Sequence, residues 1–209
     1  MSAMPQAVIE ERLRQLTVRV LKSAVSNGIK VSHAGRTMMP YVFGYLADCV
    51  ERRVLQVSIR TLPAVYAAQY DDRSDTLIFN SLNAVPEDTP ERRRTIIHEC
   101  VHAALDLTAK GVRIEFADSE FLAFLVESIY AVAMRYPAPA QANPFATGMY
   151  QLAQKVRATD GIYTCVESDW LILKDYIRRG YSRHQTAAGY IVPDGFRRSF
   201  FGDYSPLTP

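Results

Sequence analysis

Cysteine is scarce in this chain: Cys49, Cys100 and Cys165 stand far apart and are odd in number. That argues against a disulfide framework and fits a reducing compartment. Net charge is scarce as well. The 24 basic and 22 acidic side chains leave only +2, too little by itself to indicate a nucleic-acid or anionic-surface partner. No apolar run approaches a membrane span; none is longer than residues 121–126, which Glu127 ends. Glu10, Glu11, Arg12 and Arg14 stand where a signal peptide would need apolar residues. Repeats and low-complexity segments are missing too. These absences point to a soluble cytoplasmic protein without membrane association, with export by a signal-less route left open.

What remains is an ordinary globular composition, 48% hydrophobic and 22% charged. A chain of 209 residues can bury a substantial core. Ile9, Leu13, Leu16, Val20 and Ala24 step by three and four, predicting an amphipathic helix that Asn27-Gly28 can stop. After a short polar link, Pro40 opens a second helical pattern carried by Val42, Tyr45, Leu46, Cys49 and Val50. Alternation over residues 55–61 predicts a strand. Residues 64–70 and 76–80 read as a β-hairpin around the polar joint 71–75, with a loop over 81–88. Thr89-Pro90-Glu91 is a helix opening, with Thr as N-cap, Pro at the first helical position and an acid in the first turn. That helix should reach about residue 110, where Gly111 can end it. A cap at 117–120 opens a fourth helix, which runs to about residue 136. Pro137 and Pro139 then stiffen a connector, and helical patterns follow at 144–157 and 166–179. From Gly180 the periodicity is lost.

The expected fold class is α+β, mainly helical, with a small edge sheet or hairpin packed on the helix of residues 90–110 and on the helix after it. Residues 1–136 are assigned to one domain. Residues 137–209 form a helical C-terminal extension and irregular tail, expected to pack on that domain.

The chemistry concentrates in His98-Glu99-Cys100-Val101-His102. Residues four apart stack on one face of a helix, so His98 and His102 can grip one metal ion with Glu99 beside it. Zinc accepts neutral imidazole nitrogens, and a catalytic site keeps three protein ligands and one open position. A carboxylate next to the first histidine can take a proton from the attacking water and hand it to a leaving amine. Glu99 has that position and is not expected to be a ligand. Chance produces such a match in about one chain of this size in a hundred or fewer. The uncharged flanks Ile96, Ile97, Val101, Ala103 and Ala104 strengthen it. Cys100 points off the histidine face and reads as a small buried residue.

The stretch resembles the zincin metallopeptidases, whose shared mark is His-Glu-x-x-His on an active-site helix. The resemblance covers residues 66–130 and implies a zincin-like core, a single Zn2+ ion, a peptide or protein substrate, and an edge strand that holds the substrate by β-strand addition. It makes residues 1–136 the metal-binding catalytic domain. The metzincin branch would need Gly and His where Leu105 and Thr108 stand, so it is excluded. Glu120-Phe121-Leu122-Ala123 looks like the gluzincin Glu-x-x-Ala element and implies Glu120 as third ligand. Glu127 is the rival, with Glu115 and Asp118 behind it. Asp106 lies one turn past His102 and could orient that ring or replace Glu120 as ligand. For a developing oxyanion the chain offers His184, Tyr181 and Tyr163, and spacing selects none of them.

The resemblance therefore implies a zinc metallopeptidase. The alternative is a zincin-fold binding or regulatory protein with little or no proteolysis. A third class, a nucleic-acid binder, rests on Arg178, Arg179, Arg183, Arg197 and Arg198 interleaved with aromatics, plus Arg92 to Arg94. The net charge gives it no support, so nucleic acid is not expected as a partner. The sequence carries no statement of oligomeric state.

Overall fold

Leu13, Leu16, Val20 and Leu21 bury one side of α1 (Gln6–Leu21), and the 3₁₀ turn Ser26–Gly28 follows it. The computed structural model describes residues 4–33, 36–82, 87–108, 111–112, 114–139, 143–156, 163–164, 167–181 and 190–191. The link expected to be merely polar holds two strands, β1 (Val31–His33) and β2 (Arg36–Met38), paired antiparallel. Three residues are too few to show an alternation, which is why the pattern was silent there. Behind Pro40, α2 (Tyr41–Glu51) buries Phe43, Leu46 and Val50 and packs on α1.

The next three strands carry the site. They are β3 (Gln56–Arg60), β4 (Ala68–Asp71) and β5 (Thr76–Asn80), in the order β3-β5-β4. β3 runs parallel to β5 and β4 antiparallel to it, so β4 and β5 are the expected hairpin. Its first strand begins at Ala68 rather than at residue 64. β3 and β4 flank β5 on opposite sides, so the chain between them must cross the end of β5 and cannot pair along it. β5, the central strand, is buried at every position.

The outer edge of β3 is closed by α1. Ile59 N–H donates to Glu10 Oε1 at 2.9 Å, and Gln6 Nε2 donates to the Ile59 carbonyl at 3.1 Å. Side chains of a helix thus blunt one edge of the sheet. The opposite edge, β4, faces the helix that bears His98 and His102.

That helix, α3 (Pro90–Thr108), starts as its sequence signals require: Thr89 Oγ1 accepts the Arg92 N–H at 3.2 Å. Gly111 beyond it has φ +74, a left-handed value suited to glycine, while residues 109–110 lie outside the described set. After β6 (Ile114–Glu115), α4 (Phe116–Ala133) begins one residue ahead of the expected cap. It is the most enclosed helix, with Phe121, Ala123, Leu125, Val126 and Tyr130 all at 0% exposure. Such a helix, apolar on nearly every side, needs neighbours all round. α3 packs on one flank; α5 (Pro144–Val156) and α6 (Glu167–Tyr181) pack on others.

Met149, Leu152 and Ala153 of α5 and Ile177 of α6 join the same apolar core as α1 to α4. Lys174 of α6 is buried and pairs with Asp118 Oδ1 at 2.6 Å and Glu115 Oε2 at 2.8 Å, tying α6 to the start of α4. Two short strands complete the described chain. β7 (Tyr163–Thr164) runs parallel to β1, and β8 (Tyr190–Ile191) runs antiparallel to β6. The architecture is α+β and mainly helical. Among the described residues no helix is long and apolar enough to cross a membrane.

Candidate metal centre

α3 brings His98 and His102 one turn apart on the face turned to α4 and β4, with ring centroids separated by 5.2 Å. Both rings aim Nε2 at Glu120 of α4. His98 Nε2 lies 3.6 Å from Glu120 Oε2, and His102 Nε2 lies 3.4 Å from Glu120 Oε1. The ligand atoms of the three residues all fall within 4.8 Å of one another. Zinc holds N and O donors at about 2.0–2.2 Å, so two donors on one tetrahedral ion stand roughly 3.3–3.6 Å apart. Each histidine stands at that spacing from one of the two Glu120 oxygens, and this half-buried cluster could hold a metal ion.

The other nitrogen of each ring is engaged. His98 Nδ1 is 3.1 Å from Glu127 Oε2, and Arg94 of α3 holds Glu127 in turn through its Nε at 2.9 Å. His102 Nδ1 is 2.9 Å from Ser119 Oγ. With Nδ1–H donating outward, a bound ion that displaces the proton from His98 Nε2 would meet both Nε2 lone pairs on the Glu120 side, the tautomer that a metal ligand needs. Phe124 stacks edge-on against the His98 ring at 4.6 Å and restricts its rotation.

Electrostatics fit a cation at this point. Burial alone would lower the pKa of His98, but its hydrogen bonds to Glu120 and Glu127 outweigh burial and hold it well above the ordinary value. Burial drives His102 down to about 4, with Glu120 opposing and His98 adding to the fall. The carboxylates around the two imidazoles therefore hold one positive charge here, on His98. A divalent ion could take the same place.

Glu99, on the adjacent side of α3, is buried at 8% exposure, and its Oε2 accepts the backbone N–H of Tyr70 at 2.8 Å. Burial raises this carboxyl to about 7, with the His98 charge opposing and Glu120 reinforcing the rise. That N–H points away from β5, toward the outer edge of β4. The Tyr70 phenol donates to Asp106 Oδ2 at 2.6 Å, and burial with the Asp106 charge keeps it protonated. One residue of β4 thus grips α3 at two acids, seven positions apart.

These groups line a cleft of about 380 Å³. Pro63, Tyr66, Ala68, Gln69, Tyr70 and Asp72 form the sheet side, and the motif residues with Phe116, Ser119 and Glu120 form the helix side. Pockets that place a few polar groups among apolar walls at this size are the usual form of a small-ligand or substrate site.

The structure thus gathers His98, Glu99, His102 and Glu120, and it sets Asp106 on the Tyr70 hydroxyl. Glu127 stands behind His98, at Nδ1. Glu115 and Asp118 engage Lys174. Of the suggested oxyanion donors, His184 lies outside the described residues, and only the backbone of Tyr181 and Tyr163 is described. Most of the segment from Gly180 also lies outside them. Cys100 is fully buried, and burial pushes its thiol well up. The arginines at 92–94 are engaged within the chain: Arg92 sits over the Phe79 ring at 5.4 Å, Arg93 pairs with Asp88, and Arg94 with Glu127. Sequence reasoning missed Tyr70 and Ser119. Neither belongs to a motif, and each acts through a partner at least 17 positions away.

No known protein family, curated protein or solved structure matches the chain.

Proposed function

We propose that the protein is a zinc-dependent metallopeptidase of the gluzincin kind, with His98, His102 and Glu120 as the metal ligands and Glu99 as general base. One observation carries this reading: both Nε2 atoms converge on Glu120 at ligand spacing, with Glu99 beside them under a strand edge. The order of parts also supports a zincin-like core, since an antiparallel outer strand lies against the motif helix and the ligand helix comes next. Zinc, when bound, would supply Lewis acidity that makes water nucleophilic near neutral pH and polarises a carbonyl.

The chain's own residues account for the remaining steps. Glu99, beside the two histidines and raised to about 7 in the metal-free protein, is placed to accept the proton of the attacking water and return it to the departing amine. An extended peptide laid along β4 would find the Ala68 N–H and carbonyl and the Tyr70 carbonyl on the outer edge, while Glu99 holds the Tyr70 N–H. Tyr70 and Asp106 fix the distance between that strand and α3. A second reading, a zincin-fold binding protein with little proteolysis, draws on the Tyr70 N–H: a carboxylate committed to a backbone donor is less available as a base.

Metal analysis of the purified protein and cleavage of an internally quenched peptide library separate these readings. The expected result is stoichiometric zinc with cleavage that 1,10-phenanthroline abolishes and added Zn2+ restores. Zinc without cleavage favours the binding protein, and a protein that takes up no zinc overturns both. The partner behind His98 supplies a further prediction. Glu127→Gln should weaken zinc binding about 10–100-fold in a competition titration, because the ring loses its charged acceptor. An unchanged zinc affinity would remove Glu127 from the site.

A further inference from the structure

The wall of the cleft opposite the metal cluster is built by the chain between β3 and β4, and one buried side chain holds it. Asn80, the last residue of the central strand β5, has 0% exposure. Its Nδ2 donates to the carbonyls of Leu62 at 3.2 Å, Pro63 at 3.2 Å and Tyr66 at 2.8 Å. Its Oδ1 accepts the N–H of Leu62 at 3.4 Å and of Leu82 at 3.2 Å. The Asn80 backbone N–H donates to the Ala67 carbonyl at 3.0 Å. The whole crossover is therefore wrapped on one amide. Its turns leave carbonyls that no strand can pair, and the buried Asn80 amide, which itself needs partners, meets three of them.

We propose that Asn80 is a positioning residue for ligand recognition, holding the 62–66 crossover so that Pro63 and Tyr66 stand as a fixed apolar wall of the cleft. The proposal deepens the metallopeptidase reading and rests on it. Only a side-chain amide offers two N–H groups and an acceptor oxygen on one planar group. Aspartate has the same shape and no N–H, so it would turn a carboxylate toward three carbonyls. Pro63 has no N–H, and Tyr66 presents a ring. The wall therefore recognises a substrate side chain by apolar contact, while the backbone of that substrate is left to β4.

The test uses the full-length, zinc-loaded protein and two hydroxamates. Acetohydroxamate reports the metal alone. N-acetylphenylalanine hydroxamate adds an aromatic side chain for the wall. In Asn80→Asp, zinc stoichiometry and acetohydroxamate affinity should stay unchanged while the phenylalanine compound weakens about tenfold or more. Tyr66→Ala should lose a similar factor. In the double variant the losses should not add, because Asn80 acts through Tyr66. A purely structural asparagine would weaken both probes in parallel or lower only the melting temperature, and either result overturns the proposal. So does additivity, or a wild-type protein that binds the two probes equally. If Asn80→Asp does not fold, Asn80→Ser is judged by the same two probes. A wild type that takes up no zinc overturns the metallopeptidase reading and this proposal with it. A wild type that prefers the phenylalanine compound, with variants that lose nothing, overturns the proposal alone.

Discussion

Glu99→Gln should keep its zinc and lose turnover, with kcat/KM on cleaved library peptides falling by about 10²–10⁴-fold, the usual contribution of a positioned general base. That corresponds to about 3–5 kcal/mol of transition-state stabilisation. The fold should survive, because the glutamine carbonyl can still accept the Tyr70 N–H that reaches Glu99 Oε2 at 2.8 Å. Metal binding should survive as well, since Glu99 is absent from the His98, His102 and Glu120 cluster. A zinc-replete Glu99→Gln protein with undiminished turnover would end the mechanism.

The same substitution has a signature in stability. Burial raises the Glu99 carboxyl from 4.5 to about 7, so the folded, metal-free protein binds this proton more tightly than the unfolded chain does. The ionised carboxylate therefore costs stability. The cost is complete above pH 7, declines between 7 and 4.5, and is gone below 4.5. Metal-free Glu99→Gln should melt higher than wild type above pH 7, and the difference should vanish in acid.

His98→Ala and His102→Ala should each lose zinc, and all cleavage with it. The loss should exceed about 100-fold in zinc affinity, the upper end of what removing a partner one bond further out costs. In His98→Ala, Glu120 loses its contact at 3.6 Å, while Glu127 keeps Arg94 at 2.9 Å. The fold at that end of α3 therefore remains tied to α4, and far-UV circular dichroism should show little change. Glu120→Ala should behave like the histidine variants, and more severely than Glu127→Gln. The reverse order would give the ligand role to Glu127. Equilibrium dialysis with 65Zn ranks the four variants directly.

How much of this was legible beforehand differs from residue to residue. The helix over residues 90–108 announces itself through Thr89, Pro90 and Glu91, and its His pair through four-residue spacing; both signals are local. Glu120 and Glu127 are a different matter. They lie seven residues apart on nearly the same face, so their spacing alone cannot say which reaches the metal position. About 10 Å of helix axis separates them. Only the sliding of α4 against α3 sets Glu120 at Nε2 of both rings and Glu127 at Nδ1 of one. Asp106 was open to two roles through its place one turn beyond His102; the phenol of Tyr70, from another element, took it up.

Strands followed the same division. Residues 56–60 were readable through their alternation and 76–80 through the polar joint at 71–75, whereas β1, β2, β7 and β8 have three residues or two. The crossover from β3 to β4 looked like part of a strand, since Val65 and Tyr66 suit one. Its path over Asn80 follows from strand order, and strand order is a property of the sheet.

By itself the sequence determined the α+β, mainly helical character, the helix that carries His98 and His102, and the side of it on which they stand. These depend on contacts within a turn or two of chain. The tertiary structure alone decided which carboxylate meets both Nε2 atoms, that Ser119 and Glu127 hold the opposite ring nitrogens, and that Tyr70 bridges Glu99 and Asp106. It also placed Asn80 beneath the cleft wall. Each of these pairings joins residues from different elements, so it exists only once packing has set the relative position of the sheet and the two helices.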